Sequence, residues 1–239
     1  MCLTKCPALQ HRSSGKSSPF SAIFLHFSWW GFFKKREERL KLFQPQRRRA
    51  STVDIPKQKL SGFISPVLAS LPELRHLNLR NNKLTGVLPV DLFKAQKLQS
   101  LVLYGNSLSG SVPFEVGNLI YLQTQDLPSN LFNGSIPNSL GECKRLKNLD
   151  LDQNNLTGLI PDGFWSNLSF LEKLDLSFNK FTGLIPNYLG SLPNLEGTVD
   201  LSLDLSHNMF NGSILASLGN LIEKVYMDLT YNKLINSGG

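Results

Sequence analysis

The chain has 239 residues, 41% hydrophobic and 18% charged, with a formal charge of +7 and a pI near 9.4. That apolar content suits a folded core and excludes a wholly disordered chain, while 18 Gly and 13 Pro exclude a collagen-like one. Three Cys are too few, and odd in number, for a disulfide scaffold.

The first 52 residues hold 11 Lys/Arg against 2 Asp/Glu, and the rest of the chain holds 14 against 16. The basic excess therefore belongs to the N-terminal segment. The larger part has no surplus cations to neutralise phosphates, so no nucleic-acid partner is expected. Within that segment the uncharged run Ser17–Phe33 contains four Ser and His26. It falls short of the roughly 20 apolar residues that cross a bilayer. Phe20–Phe33 also lacks small residues where a signal peptide would be cleaved, and it runs into Lys34, Lys35 and Arg36. A signal or anchor is the alternative reading of it. Arg47–Ser51 (RRRAS) fits a site for a basic-directed kinase, but reads first as a solvated charge run. Residues 1–52 are thus expected to be a disordered, non-repeat segment, and residues 53–239 a repeat domain with its last coil incomplete.

From Val53 onward the sequence becomes periodic. Asn82, Asn106, Asn130, Asn154, Asn179, Asn208 and Asn232 follow one another at steps of 24, 24, 24, 25, 29 and 24 residues. A Leu stands three residues before each, and Leu or Phe two residues after. Gly stands four after in Gly86, Gly110, Gly134, Gly158, Gly183 and Gly212, and Pro seven after in Pro89, Pro113, Pro137, Pro161 and Pro186. A degenerate first turn, with Val53, Ile55, Gln58, Leu60 and Gly62, fits ahead of them.

Each column has a physical reading. L-x-x-L-x-L places alternating apolar residues on one face of a short strand. Asn falls where the chain turns off that strand, and its amide can bond backbone groups that have lost ladder partners. Gly then permits φ > 0, and Pro stiffens the return segment. One coil cannot bury its own Leu edge; coils stacked about 4.8 Å apart bury them all. The fold expected is a right-handed solenoid of about eight coils, mainly β, with a parallel concave sheet and short 3-10 or irregular outer segments.

The consensus L-x-x-L-x-L-x-x-N-x-L-x-G-x-I-P, seen whole in Leu146–Pro161 and Leu171–Pro186, resembles the plant-type leucine-rich repeat of receptor-like kinase ectodomains. The runs Leu71–Arg80, Leu98–Ser107, Leu171–Lys180 and Glu223–Asn232 are similar to the zygotic-arrest type within that group. The resemblance implies an extracellular, plasma-membrane signalling module that binds a peptide ligand or another receptor ectodomain. It implies no small-molecule substrate, cofactor or metal. Such receptors continue into a membrane span and a kinase, but no V-A-I-K, H-R-D or D-F-G follows here. The expectation is a truncated, non-catalytic ectodomain; the alternatives are an intracellular interaction protein and a non-functional fragment of a receptor-kinase gene.

Four residues before the ladder Asn stand Asp126, Asp150, Asp175, Asp204 and Asp228, an acidic row expected on the concave face. Arg80, Tyr104, Asp152, Lys173, Phe178, His207 and Tyr231 flank it, and together these form the candidate binding face. The dull reading of any one Asp is that D-L-S is a common repeat sequence with a locally solvated carboxylate. Asn133, Asn155, Asn167 and Asn211 open N-x-S/T triplets and are candidate glycosylation sites. Cys143 is expected as a buried free thiol. Gln125 occupies an inward Leu position and is expected to find backbone partners or tilt outward. Around the irregular step, Leu203 and Leu205 are expected in the sheet, with the surplus residues held between about Leu195 and Ser202.

Overall fold

In the computed structural model, the described residues are 51–161, 164, 167–185, 201–213 and 225–235. The expectation for residues 1–50 lies outside them. Sixteen short strands alternate between two parallel sheets of eight strands each. The odd-numbered strands are β1 (Thr52–Asp54), β3 (His76–Asn78), β5 (Ser100–Val102), β7 (Thr124–Asp126), β9 (Asn148–Asp150), β11 (Lys173–Asp175), β13 (Leu201–Asp204) and β15 (Val225–Asp228). They form the concave sheet. The second sheet holds β2 (Ser61–Gly62), β4 (Lys83–Gly86), β6 (Ser107–Gly110), β8 (Leu131–Gly134), β10 (Asn155–Gly158), β12 (Lys180–Leu184), β14 (Met209–Ser213) and β16 (Lys233–Ile235). Among the described residues, four 3-10 helices, Pro66–Ser70, Val90–Lys94, Phe114–Asn118 and Asn138–Glu142, return the chain from the second sheet to the next coil. This is a leucine-rich-repeat solenoid. No helix among the described residues is long and apolar enough to cross a membrane.

The columns pack as stacked rows. Val53, Leu77, Leu101, Gln125, Leu149, Leu174, Leu203 and Met227 are successive register partners in the concave sheet. A second inward row, Leu84, Leu108, Phe132, Leu156, Phe181 and Phe210, is fully buried. Each buried Leu or Phe contributes about 1.5–3 kcal/mol, and only the neighbouring coil makes that burial possible. At the far end Met227, Leu229 and Leu234 are partly buried, whereas Val53 and Leu60 in the first coil are buried.

Three expectations need correction. Gln125 is fully buried, yet neither its amide oxygen nor its nitrogen has a hydrogen-bond partner among the described residues. Strands β5 and β9 hold it in register with Leu101 and Leu149, so it cannot tilt out without breaking the ladder. The adjacent carbonyls and N–H groups are committed to the sheet, which leaves the amide nothing to reach. Secondly, Leu203 and Leu205 do occupy the buried columns, but Leu201 and Ser202 pair with Val225 and Tyr226. The sheet therefore begins before Ser202, and the placement of the surplus lies outside the described residues. Thirdly, the L-x-G segments form a second sheet that the column argument had assigned only to turn and return.

That second sheet is sheared. Partners in it are typically 22 residues apart, as in Thr85 with Ser107 and Asn133 with Asn155, against 24 between the same coils in the concave sheet. Exposed side chains along its edge lie over the next coil's glycines. A Cβ at Gly86, where φ is +80°, would come within 2.4 Å of the Phe63 ring. At Gly183 it would come within 2.2 Å of Leu159. Glycine here is required both by backbone conformation and by close approach.

Candidate functional site

The ladder asparagines set the turn from which the concave-face side chains project. Asn130 Nδ2 donates to the carbonyls of Leu103 at 3.2 Å, Leu127 at 3.1 Å and Pro128 at 3.1 Å, and its Oδ1 accepts from the Leu108 N–H at 3.0 Å. One amide thus closes its own turn and grips the preceding coil. Asn82, Asn106, Asn154, Asn179, Asn208 and Asn232 do the same with their neighbours. The residue just before each Asn is left-handed. Asn81, Ser129, Gln153, Phe178, His207 and Tyr231 have φ between 49° and 54°, with Gly105 at 67°. A non-glycine there costs about 1–2 kcal/mol, and the amide rungs hold it in place.

The five carboxylates from Asp126 to Asp228 stand directly across from one another on neighbouring strands. Neighbours are about 4.8 Å apart in the strand-pairing direction. In most of them the turn satisfies one oxygen. Asp150 accepts from the Asp152 N–H, Asp175 from Ser177, Asp204 from Ser206 and Asp228 from Thr230. Asp126 differs, because the residue two ahead is Pro128 and has no N–H to give. Burial, then the charge of Asp150, pushes the Asp126 carboxyl up to about 6. Burial likewise raises Asp175 and Asp152, against the hydrogen bonds that Ser177 and Gln153 supply. The Thr230 N–H and hydroxyl hold Asp228 below the ordinary carboxylate range.

Lys173 lies inside the row. Its Nζ donates to Asp150 Oδ2 at 2.6 Å and stands 3.8 Å from Asp175 Oδ2. Burial works against the ammonium, but the Asp150 hydrogen bond and the surrounding charge hold its pKa above the ordinary value. At one end the Arg80 guanidinium sits 5.7 Å over the Tyr104 ring. At the other, Phe178, His207 and Tyr231 stack, with ring centroids 4.0 and 4.1 Å apart and planes within 15°. The structure thus groups the twelve sequence-derived residues into a cation–π pair, an acidic centre holding Lys173, and an aromatic stack. Arg80 and Tyr231 stand six coils apart and share no site.

Tyr226 was missed. It is 67% exposed on β15, in the column of Lys173 and Ser202, on the other side of the acidic row from the stack. Counting columns six residues before each Asn would have found it. Of the N-x-S/T asparagines, Asn133, Asn155 and Asn211 are exposed on second-sheet strands, and Asn167 is half-buried in helical conformation ahead of β11. Cys143 is fully buried; its thiol donates to the Val116 carbonyl at 3.3 Å, and burial pushes its pKa up to about 12.

Comparisons with known proteins agree with this geometry. Leucine-rich-repeat family descriptions match residues 144–210, and residues 73–95, 97–119 and 201–221. No curated protein sequence matches the chain. Among solved structures it is similar to the Arabidopsis receptor kinase HAESA, seen in complex with the peptide hormone IDA and the co-receptor SERK1. The identity is 38% and the TM-score 0.70, over 76% of this chain and 29% of that one. It is similar to the plant peptide hormone receptor RGFR1 in complex with RGF2, at 33% identity and TM-score 0.68, over 74% of this chain and 27% of that one. A plant ice-binding protein matches at 28% identity and TM-score 0.60, over 80% of this chain and 76% of that one. The chain thus spans less than a third of the receptor chains.

Proposed function

Starting from a leucine-rich-repeat solenoid, we propose that this chain is a non-catalytic binding module of plant receptor-kinase type. Its concave sheet takes an extended peptide or the edge of another receptor ectodomain on the extracellular side of the plasma membrane. The observation that supports this most is the in-register carboxylate row flanked on one side by Tyr226 and on the other by the Phe178–His207–Tyr231 stack. A shallow face lined by charge and exposed rings suits a partner carrying cationic and aromatic groups. The likeness to two receptors solved with peptide hormones supports the partner class. Kinship with the zygotic-arrest type rests on the repeat runs alone.

The outward positions of the second sheet pair Thr85 with Ser107, Ser109 with Leu131, Asn133 with Asn155, Thr157 with Lys180, Thr182 with Met209 and Asn211 with Lys233, so hydroxyl and amide groups alternate with lysines and apolar side chains. Such an uneven, charged lane favours the concave-face reading over an ice-binding one.

The test is peptide-library capture on the immobilised chain, comparing wild type with Asp150→Asn/Asp175→Asn, Tyr231→Ala and the second-sheet control Thr85→Ala. Capture that falls with the first two variants and not the control, and weakens as salt rises, is the expected result. Equal capture by all four proteins would move the binding face elsewhere.

A further inference from the structure

The shear of the second sheet brings two candidate glycosylation asparagines together. In a 24-residue repeat, Asn133 and Asn155 belong to different columns, three residues and one residue after their respective ladder Asn. The 22-residue offset places them directly across from each other on β8 and β10. Both side chains point outward and are exposed. Each opens an intact acceptor triplet, Asn133-Gly-Ser135 and Asn155-Leu-Thr157. The Thr157 hydroxyl already leans across the gap, donating to the Gly134 carbonyl at 3.4 Å. Asn211, by contrast, pairs with Lys233, and no second acceptor stands beside it.

We propose that Asn133 and Asn155 form a single glycan position. A folded molecule carries an oligosaccharide on one or the other, while Asn211 is filled independently. The inference rests on the exported, extracellular reading above. Before folding, the two asparagines are separated by 22 residues of flexible chain, and nothing prevents both from being modified. The conflict arises when the two coils dock. The anchors then stand about 4.8 Å apart, the spacing at which neighbouring side chains already touch. The first sugars of two chains would have to lie face to face, with their acetamido arms and outer branches forced apart over a flat sheet. A doubly modified chain therefore resists closing the β8–β10 pair, and the folded, secreted pool is depleted of it. Either occupancy keeps the sugar on the second sheet and leaves the concave face open.

The experiment expresses the full chain behind a secretory leader in plant cells, in an Asn167→Gln/Asn211→Gln background. Glycans are trimmed to the first sugar and counted by intact mass on secreted protein. Singly tagged molecules are expected, with the tag divided between the two asparagines. Asn155→Gln should raise occupancy at Asn133, and Asn133→Gln should do the reverse. A secreted, folded pool carrying both tags overturns the proposal, as does protein tagged at Asn211 in the parent chain but bare at both paired sites. The native chain expressed without the added leader, if it stays inside the cell and carries no sugar, would instead overturn the export reading on which the proposal rests.

Discussion

The sharpest energetic defect is one side chain. Gln125 fills a Leu column, fully buried, with both amide atoms unpaired among the described residues. Leaving such a group without partners costs about 1–3 kcal/mol. Gln125→Leu should raise stability by that order, read as a higher urea midpoint at unchanged slope; an unchanged midpoint would mean that the amide is satisfied in solution. Its neighbour Asp126 carries the second defect. Its folded pKa, about 6, lies above the ordinary value of 3.8, so the folded state binds the proton more tightly than the unfolded one. The group is without penalty below about pH 4 and costs stability progressively as pH rises through about 6. Asp126→Asn should therefore stabilise the protein at pH 7, and its advantage over wild type should vanish by pH 4. A pH series of denaturation midpoints reads this directly, and an advantage constant across that range would assign the effect to something other than the charge. The two residues are adjacent yet face opposite ways, the period-2 alternation of a strand.

At the scale of the element, the repeat is held by the amide rung more than by any helix or turn. Asn130→Ala would leave the buried Leu108 N–H without its partner and take one of two amide donors from the Leu103 and Leu127 carbonyls, which keep those of Asn106 and Asn154. A loss of about 2–4 kcal/mol is expected, and a smaller one for Asn232→Ala, whose rung is partly exposed. Equal losses would show that the rung's contribution does not depend on burial. The columns that define this element were legible from spacing alone, because a side chain that must point inward in every coil leaves a mark every 24 residues. The concave sheet, its inward rows and the register around Asn208 could be read that way. The second sheet could not, since its strands are two to five residues long and their outward positions vary in type. Their pairing comes from backbone shear, which no residue type records. Gln125 was visible as an intruder in its column. That it would stay buried and unpaired was not, because the outcome depends on whether neighbouring backbone groups are already committed. Tyr226 was legible in the same way, since it shares the column of Lys173, six residues before the ladder Asn.

At the scale of the molecule, coils contact only their neighbours, so what one coil presents is displayed next to what the following coil presents. That is how residues 24 to 29 apart, such as Phe178, His207 and Tyr231, come to form one stack. It is also why Arg80 never meets Tyr231. The same architecture has a mechanical side. Each Asn rung ties a coil to the one before it, and no hydrogen bond among the described residues skips a coil. A solenoid pulled from its two ends would therefore pay out like thread from a spool, one turn at a time. Each released turn of 24 residues would lengthen the tether by about 80–86 Å at full extension. The 29-residue turn between Asn179 and Asn208 would give a longer jump, about 96–104 Å. A force–extension trace on the tethered chain should show a ladder of near-equal steps with that single longer one among them; one all-or-none rupture would show that the coils fail together under tension.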